Sequence, residues 1–220
     1  MGKKRVAWSS THQEFLISDA YYFSRLARGA LEEGLLIEEV DDFAELFSYD
    51  TVVFNYPESP FSHREIEAIK EGVIGRGKRV IFAAHFQNKD DVARICTEVS
   101  RHFGILVLND QVTDGTNHLE GDPYRLVTSQ VLAYNRGVCK VVFPYSAPLE
   151  VLDGGTLPIL RGMETSRTSK GLPSPVLAAE RTFPSGGAFV LCGSCIFWDN
   201  YSITFGDNFR FALNLLKGLR

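Results

Sequence analysis

Two periods alternate along the first half of the chain. Arg5–Ser10, Leu35–Val40, Thr51–Tyr56, Lys78–Ala84 and Ile105–Asn109 are short runs dense in apolar and β-branched residues, as strands covered on both faces require. Between them the apolar positions repeat at helical spacing: Ala20, Phe23, Leu26, Ala27, Ala30 and Leu31, then Ile66, Ile69 and Val73, then Val92, Ile95, Val99 and Phe103. Ser62 with Glu65 three residues on predicts a capping box, and Gly34, Gly77 and Gly104 stand where helices should stop. Strand and helix in rotation over about 110 residues predict five parallel strands, because parallel neighbours need crossovers and cannot be joined by hairpins. The fold class is α/β, a flavodoxin-like, doubly wound, mostly parallel sheet.

After Asn109 the pattern changes. Residues 111–125 are polar and rich in Gly, Asp and Asn, which predicts a surface loop. Lys140–Phe143, Leu149–Leu152, Val176–Ala179 and Ala188–Cys192 predict strands of an antiparallel C-terminal extension, with a long loop at Gly162–Pro175. Asp207–Leu219 predicts a closing helix, with Asp207 as N-cap and Phe209, Ala212, Leu213, Leu216 and Leu219 on its apolar side. The expectation is one domain over 1–220, with the parallel core in 1–110 and the antiparallel strands, loops and closing helix in 111–220.

Composition narrows the function classes. The 220 residues are 45% hydrophobic and 12% aromatic, enough for a large core. Twenty-three basic residues against 27 acidic ones leave a net charge of -4, without the surplus of Lys and Arg that a polyanion demands, so nucleic acid is disfavoured as the main ligand. No run approaches the roughly 20 apolar residues of a membrane span, and Lys3-Lys4-Arg5 leads straight into a strand without a signal-peptide core. The expectation is a cytoplasmic protein with no transmembrane segment. Four cysteines are too few for a disulfide framework and read as core thiols, and five histidines lie scattered without metal-ligand spacing. Neither G-x-G-x-x-G nor G-x-x-x-x-G-K-[ST] occurs; no cofactor and no metal are expected.

In an open α/β sheet, ligands gather beyond the carboxyl ends of the strands, where the strand order reverses. For an order 3-2-1-4-5, Ser9-Ser10-Thr11-His12 would face His85-Phe86-Gln87, with Tyr56-Pro57-Glu58 beside them. The candidate ligand-binding residues are Ser10, Thr11, His12, Glu14, Tyr56, Glu58, His85, Gln87 and Ser194. Thr11-His12-Gln13-Glu14 suits a contact to a sugar or a carboxylate, and suits equally the satisfaction of loop backbone and the capping of the next helix. The turn after the fourth strand, Ala83-Ala84-His85-Phe86-Gln87, has neither the flanking glycines nor the Cys or Ser of a strained nucleophile elbow. His85 is therefore read as structural or ligand-contacting. Cys192-Gly193-Ser194-Cys195 is a single C-x-x-C, where zinc would need a second pair; it reads as a tight strand-end turn with Ser194 exposed and the thiols packed inward.

Phe189-Val190-Leu191-Cys192-Gly193-Ser194-Cys195, then Asp199-Asn200-Tyr201 and a closing helix with Asn208, resemble the end of the GIFT domain. That family is named for gliding-motility, intraflagellar-transport and ABC-transporter-associated proteins, and its core is similar to the class I glutamine amidotransferase fold. Phe103-Gly104-Ile105 through Asn109-Asp110, Phe143–Leu149 and Ser62–Ala84 resemble further parts of it. The resemblance implies a class I glutamine amidotransferase-like fold. Because His85-Phe86 stands where amidotransferases carry their elbow cysteine, it implies no glutaminase activity. It implies a non-catalytic domain that binds a protein partner or a small polar ligand, carbohydrate among them, associated with a transport system, with a homo-oligomer left open. The alternative is a hydrolase or amidotransferase-like enzyme in which Cys195 or Ser194 works with His12 or His85. That alternative requires a nucleophile within roughly 3–4 Å of an imidazole nitrogen in a cleft. A third reading, a structural subunit of an assembly, requires a contiguous exposed apolar patch.

Overall fold

A computed structural model describes residues 4–220; Lys3 of the basic run lies outside the described residues. The first four apolar runs form β1 (Arg5–Ser9), β2 (Leu36–Val40), β3 (Thr51–Asn55) and β4 (Arg79–Ala83). They lie parallel in the order β2-β1-β3-β4. The intervening stripes form α1 (Ala20–Glu32), α3 (His63–Lys70) and α4 (Val92–Ser100), and a one-turn α2 (Phe43–Leu46) precedes β3. The capping box is present, with the Glu65 N–H donating to the Ser62 hydroxyl and the Ser62 N–H to the Glu65 carboxylate. Gly34, Gly77 and Gly104 take φ of 74°, 68° and 75°, the left-handed region that a residue with a Cβ avoids.

The strand order corrects two expectations. The reversal lies between β1 and β3, not between the first and fourth strands. The fifth run is β5 (Ile105–Val107), which stands at the far edge of the nine-stranded sheet, antiparallel to β10 (Leu149–Val151). The place beside β4 belongs to β14 (Ala188–Cys192), which runs parallel to it from Ala188↔Arg79 to Cys192↔Ala83. Burial accounts for the exchange: β14 has five buried residues and fits a sheet centre covered on both faces, whereas β5 is three residues long with one half-exposed. Thus β14 is not part of an antiparallel appendage; the antiparallel section begins with β13 (Val176–Thr182), and β11 (Thr156–Arg161) pairs with β13 as well.

Residues 111–125 are not a loop. They hold β6 (Val112–Thr113), β7 (His118–Leu119) and the start of β8 (Asp122–Thr128). With β9 (Val141–Pro144), β7 and β8 make a second, three-stranded sheet, while β6 pairs with β12 (Arg167–Thr168) inside the segment expected to be a long loop. These strands are only partly buried, so their polar composition hid them. The buried Asp114 carboxylate pins the region, accepting the Thr116 and Asn117 N–H groups and the Thr165 and Ser166 hydroxyls.

The last helix, α5, is Asn208–Lys217. Asp207 is its N-cap residue, with its carbonyl accepting the Phe211 N–H at 2.9 Å, but its side chain makes no capping hydrogen bond; the carboxylate accepts the Cys139 and Lys140 N–H groups at 2.7 and 3.0 Å instead, tying the approach to β9. Cys96, Cys192 and Cys195 are buried thiols, whereas Cys139 is exposed, which corrects the expectation that all four pack inward. Phe54, Phe82 and Phe189 stack across β3, β4 and β14 at centroid separations of 4.7 and 5.4 Å, and Phe103 lies on Phe189 at 4.1 Å. These fully buried rings tie β3, β4 and β14 together across one face of the sheet. No helix among the described residues is long and apolar enough to cross a membrane.

Candidate functional site

The chain leaves β3 through Tyr56, whose φ of 62° turns it back over the sheet while its N–H still donates to Ala83 O at 2.9 Å. It leaves β4 through His85 into a loop where Gln87, Asn88, Asp90 and Asp91 all have positive φ, between 47° and 66°. Asn and Asp tolerate that region better than other side chains, and such local strain concentrates at sites of function. The Tyr56 hydroxyl donates to Asp90 Oδ2 at 2.6 Å and joins the two loops. From β14 the chain turns through Gly193-Ser194-Cys195 and comes under His85.

These loops enclose a cavity of ≈ 190 Å³ whose lining includes Tyr22, Tyr56, His85, Asp90, Cys195 and Asp199. A second cavity of ≈ 590 Å³ shares Tyr22, Ile196 and Asp199 with it and extends along Asp122, Arg125, Tyr145 and Tyr201. The Cys195 Sγ lies 3.8 Å from His85 Nδ1, within the separation that the enzymatic alternative requires.

The electrostatics of that pair oppose activation. Burial, assisted by the nearby Asp199 carboxylate, pushes the Cys195 thiol well above its usual range. Burial, with Lys89 adding to it, pushes the His85 imidazole down to about 4. At neutral pH the contact joins a neutral thiol to a neutral imidazole, whereas nucleophilic cysteines work as thiolates.

Burial also pushes the Asp199 carboxyl up to about 6, even though its Oδ1 accepts the Tyr201 and Ser202 N–H groups at 2.9 and 3.0 Å. As pH rises, the unfolded chain releases this proton first, near 4, so the folded state loses stability between about 4 and 6 and no further above. Asp199→Asn keeps the acceptor for both N–H groups and removes the charge. It is expected to stabilise the protein at pH 8 by about 1–2 kcal/mol, about 2–8 °C in Tm, a gain that vanishes by pH 4. Melting curves at the two pH values check this.

Of the residues singled out from the sequence, Tyr56 and His85 line the smaller cavity. The residues after β1 serve another contact. The buried His12 ring stacks on Phe61 at 3.8 Å, with Nε2 3.6 Å from the Glu65 carboxylate and Nδ1 2.7 Å from the Thr11 hydroxyl. Glu14 accepts the His12 N–H at 2.6 Å, and the Ser10 hydroxyl donates to Val40 O. This knot ties the loop to the capping box of α3 and lies outside both cavity linings, as do Glu58 and Gln87, whose amide bonds Gln111. Ser194 is fully buried, not exposed: the strand-end turn folds beneath β9, where its hydroxyl donates to Pro144 O and accepts the Ile196 N–H.

The lining also includes Asp90, Asp199, Tyr22 and Lys89, which are not among the candidates the sequence offers. Asp199 stood in the Asp199-Asn200-Tyr201 segment and offered a signal; Tyr22, on α1, comes to the crevice only because that helix docks beside the 196–205 turn, where the Asn200 N–H donates to Tyr22 O at 2.6 Å.

No family model matches the chain. A protein of Aquifex aeolicus (strain VF5), described as uncharacterized, is 42% identical over 219 residues, covering 97% of this chain and 93% of that protein. Among solved structures, the mmIFT52 N-terminal domain has a TM-score of 0.79 at 16% identity, over 97% of this chain and 96% of that one. A candidate GMP synthase component from Thermoplasma acidophilum has a TM-score of 0.50 at 10% identity, over 99% of this chain and 94% of that one. β-Galactosidase from Bacillus circulans sp. alkalophilus has a TM-score of 0.55 at 12% identity, over 99% of this chain and 31% of that one. At these identities the structural likenesses speak to the fold alone. Sequence identity at nearly full coverage does more: the chain belongs to one family with the Aquifex aeolicus protein, on a fold like that of the mmIFT52 N-terminal domain.

Proposed function

We propose that the chain is a GIFT-type, amidotransferase-like domain that binds without turnover. It receives a small polar ligand, or a polar side chain of a protein partner, in the crevice beyond β3, β4 and β14. The observation that carries this reading is the pair of adjoining cavities, walled by aromatic rings and carboxylates, above a β4 turn with no nucleophile of its own. Rings beside a few convergent polar groups are the composition of a ligand pocket. A carbohydrate is one class that such walls suit, and the resemblance of the Phe189–Cys195 and Asp199–Tyr201 segments to the GIFT domain implies an association with a transport system. Free thiols without a disulfide suit a cytoplasmic setting.

Titration of ¹⁵N-labelled protein with monosaccharides and small amines tests the placement. Shifts are expected to cluster at Tyr22, Tyr56, Ile196 and Asp199. Clustering in the groove of Arg25, Arg28 and Phe209 between α1 and α5 would reject the crevice.

A second reading has one specific observation behind it, the 3.8 Å contact between Cys195 and His85. A thiol activated by an imidazole would attack an acyl carbon. Iodoacetamide separates the readings: a neutral, buried Cys195 is expected to alkylate about tenfold or more slowly than free cysteine at pH 7. Alkylation faster than free cysteine, lost in His85→Ala, together with release of ammonia from glutamine, would establish the enzyme.

A further inference from the structure

We infer that the crevice selects a ligand with a cationic head, an alkylammonium, which Asp199 receives beside the rings of Phe15, Tyr22 and Tyr56. This rests on the reading of the crevice as the binding site and adds the chemical class of what it holds.

The inference follows from where the charges are satisfied. Four carboxylates line the two cavities, Asp90, Glu120, Asp122 and Asp199, against two cations, Lys89 and Arg125. Three of the four have side-chain partners. Asp90 accepts the Tyr56 hydroxyl, Asp122 accepts the Tyr145 hydroxyl at 2.8 Å, and Glu120 pairs with Arg125. Arg125 also lies 5.0 Å over the Phe205 ring, so its charge is already engaged. Asp199 differs in its charge balance. It is 6% exposed and lines both cavities; its carboxylate accepts two backbone N–H groups on one oxygen and is helped by the Ser202 side chain, Arg125 acts on it only from a distance, and no Lys or Arg among the described residues forms an ion pair with it.

A desolvated carboxylate without a counter-ion is costly, and a ligand that brings the missing cation recovers that cost on binding. The elevated Asp199 carboxyl, near 6, is the same deficit seen through its proton. It remains ionised at neutral pH and ready for an ammonium.

The walls suit the same head. Phe15 stacks on Tyr56 at 4.8 Å and tilts against Tyr22 at 5.6 Å, so ring faces and edges crowd one side of the smaller cavity. Aromatic faces attract cations by their quadrupoles. His85 is neutral at this pH and does not compete. Lys89 is exposed at the mouth and disfavours a second positive charge, so the fitting ligand has one cationic head and an uncharged or acidic tail.

The experiment uses the full chain, ¹⁵N-labelled at pH 7.5, and four probes: phenethylammonium, its neutral counterpart 2-phenylethanol, its anionic counterpart phenylacetate, and N-acetyl-lysinamide. Phenethylammonium is expected to shift the Tyr22, Ile196 and Asp199 signals and to bind about tenfold or more tightly than the alcohol, with phenylacetate weaker still. Asp199→Asn is expected to lose that margin while melting no lower than the parent. Tighter binding by N-acetyl-lysinamide than by phenethylammonium would identify the head as a partner's lysine; the reverse order would identify a free amine. Equal binding of amine and alcohol, or an unaffected Asp199→Asn, would overturn the ammonium assignment while leaving the crevice as the binding site. Crevice signals that respond to none of the probes would reject both.

Discussion

Asn208→Asp is expected to cost about 3–5 kcal/mol and to lower Tm by roughly 6–20 °C at pH 7.5. The side chain is fully buried at the start of α5, and all its hydrogen-bonding capacity faces protein. Nδ2 donates to Val142 O at 2.7 Å, Phe197 O at 2.8 Å and Ser202 O at 3.1 Å, while Oδ1 accepts the Val142 N–H at 2.8 Å. Aspartate has the same shape but no donors, and turns a carboxylate oxygen toward three carbonyl oxygens in a fully buried site. One amide thus joins β9, the 196–205 turn and α5; the turn also carries Asp199, so the crevice should fail with it. Thermal melts at pH 7.5 and pH 4 check the cause, because protonation of the new carboxyl restores a donor and should recover part of the loss. A variant melting within about 2 °C of the parent at pH 7.5 would show that the junction does not depend on this amide.

Gly193→Ala is the second large effect, expected at about 2–4 kcal/mol. A Cβ there would lie 2.2 Å from Ala147 O and 2.6 Å from the Ser146 hydroxyl. The backbone cannot move aside, because the Gly193 N–H donates to Leu177 O at 2.8 Å and its carbonyl accepts the Ala147 N–H at 2.9 Å. Relief would push the Ser194-Cys195 turn away from β9, exposing the thiol beneath His85, so iodoacetamide should reach Cys195 faster as stability falls. Gly115→Ala serves as control. Nothing lies within 4 Å of its Cβ position, and a change within about 0.5 kcal/mol is expected.

Local order was legible where a short-range rule acts alone. The capping box of Ser62 and Glu65, the left-handed Gly34, Gly77 and Gly104, and the stripe of α4 each depend on residues a few positions apart. The half-buried strands around Asp114 were illegible, because a partly exposed strand tolerates the polar composition of a loop. The site was read in part. Tyr56 and His85 end strands that the pattern had already located. Thr11, His12 and Glu14 have the chemistry of a binding loop, yet apart from the unpartnered Glu14 Oε1 their polar groups meet neighbouring residues of the loop and Glu65. A polar side chain in a loop has the same sequence signature whether it faces a ligand or a neighbour.

By itself, then, the sequence determined an α/β chain of parallel strands and covering helices, a β4 turn without a reactive group, and a strand ending in Cys192-Gly193-Ser194-Cys195. Only the tertiary structure decided that β14 lies against β4, and that single neighbour relation brings Cys195 under His85 and carries Asp199 to the rim. The physical reason is range. Helix and strand propensity act over a few residues, whereas the pairing of Ala188–Cys192 with Arg79–Ala83 is chosen by which apolar strand can be buried on both faces, a competition among segments a hundred residues apart.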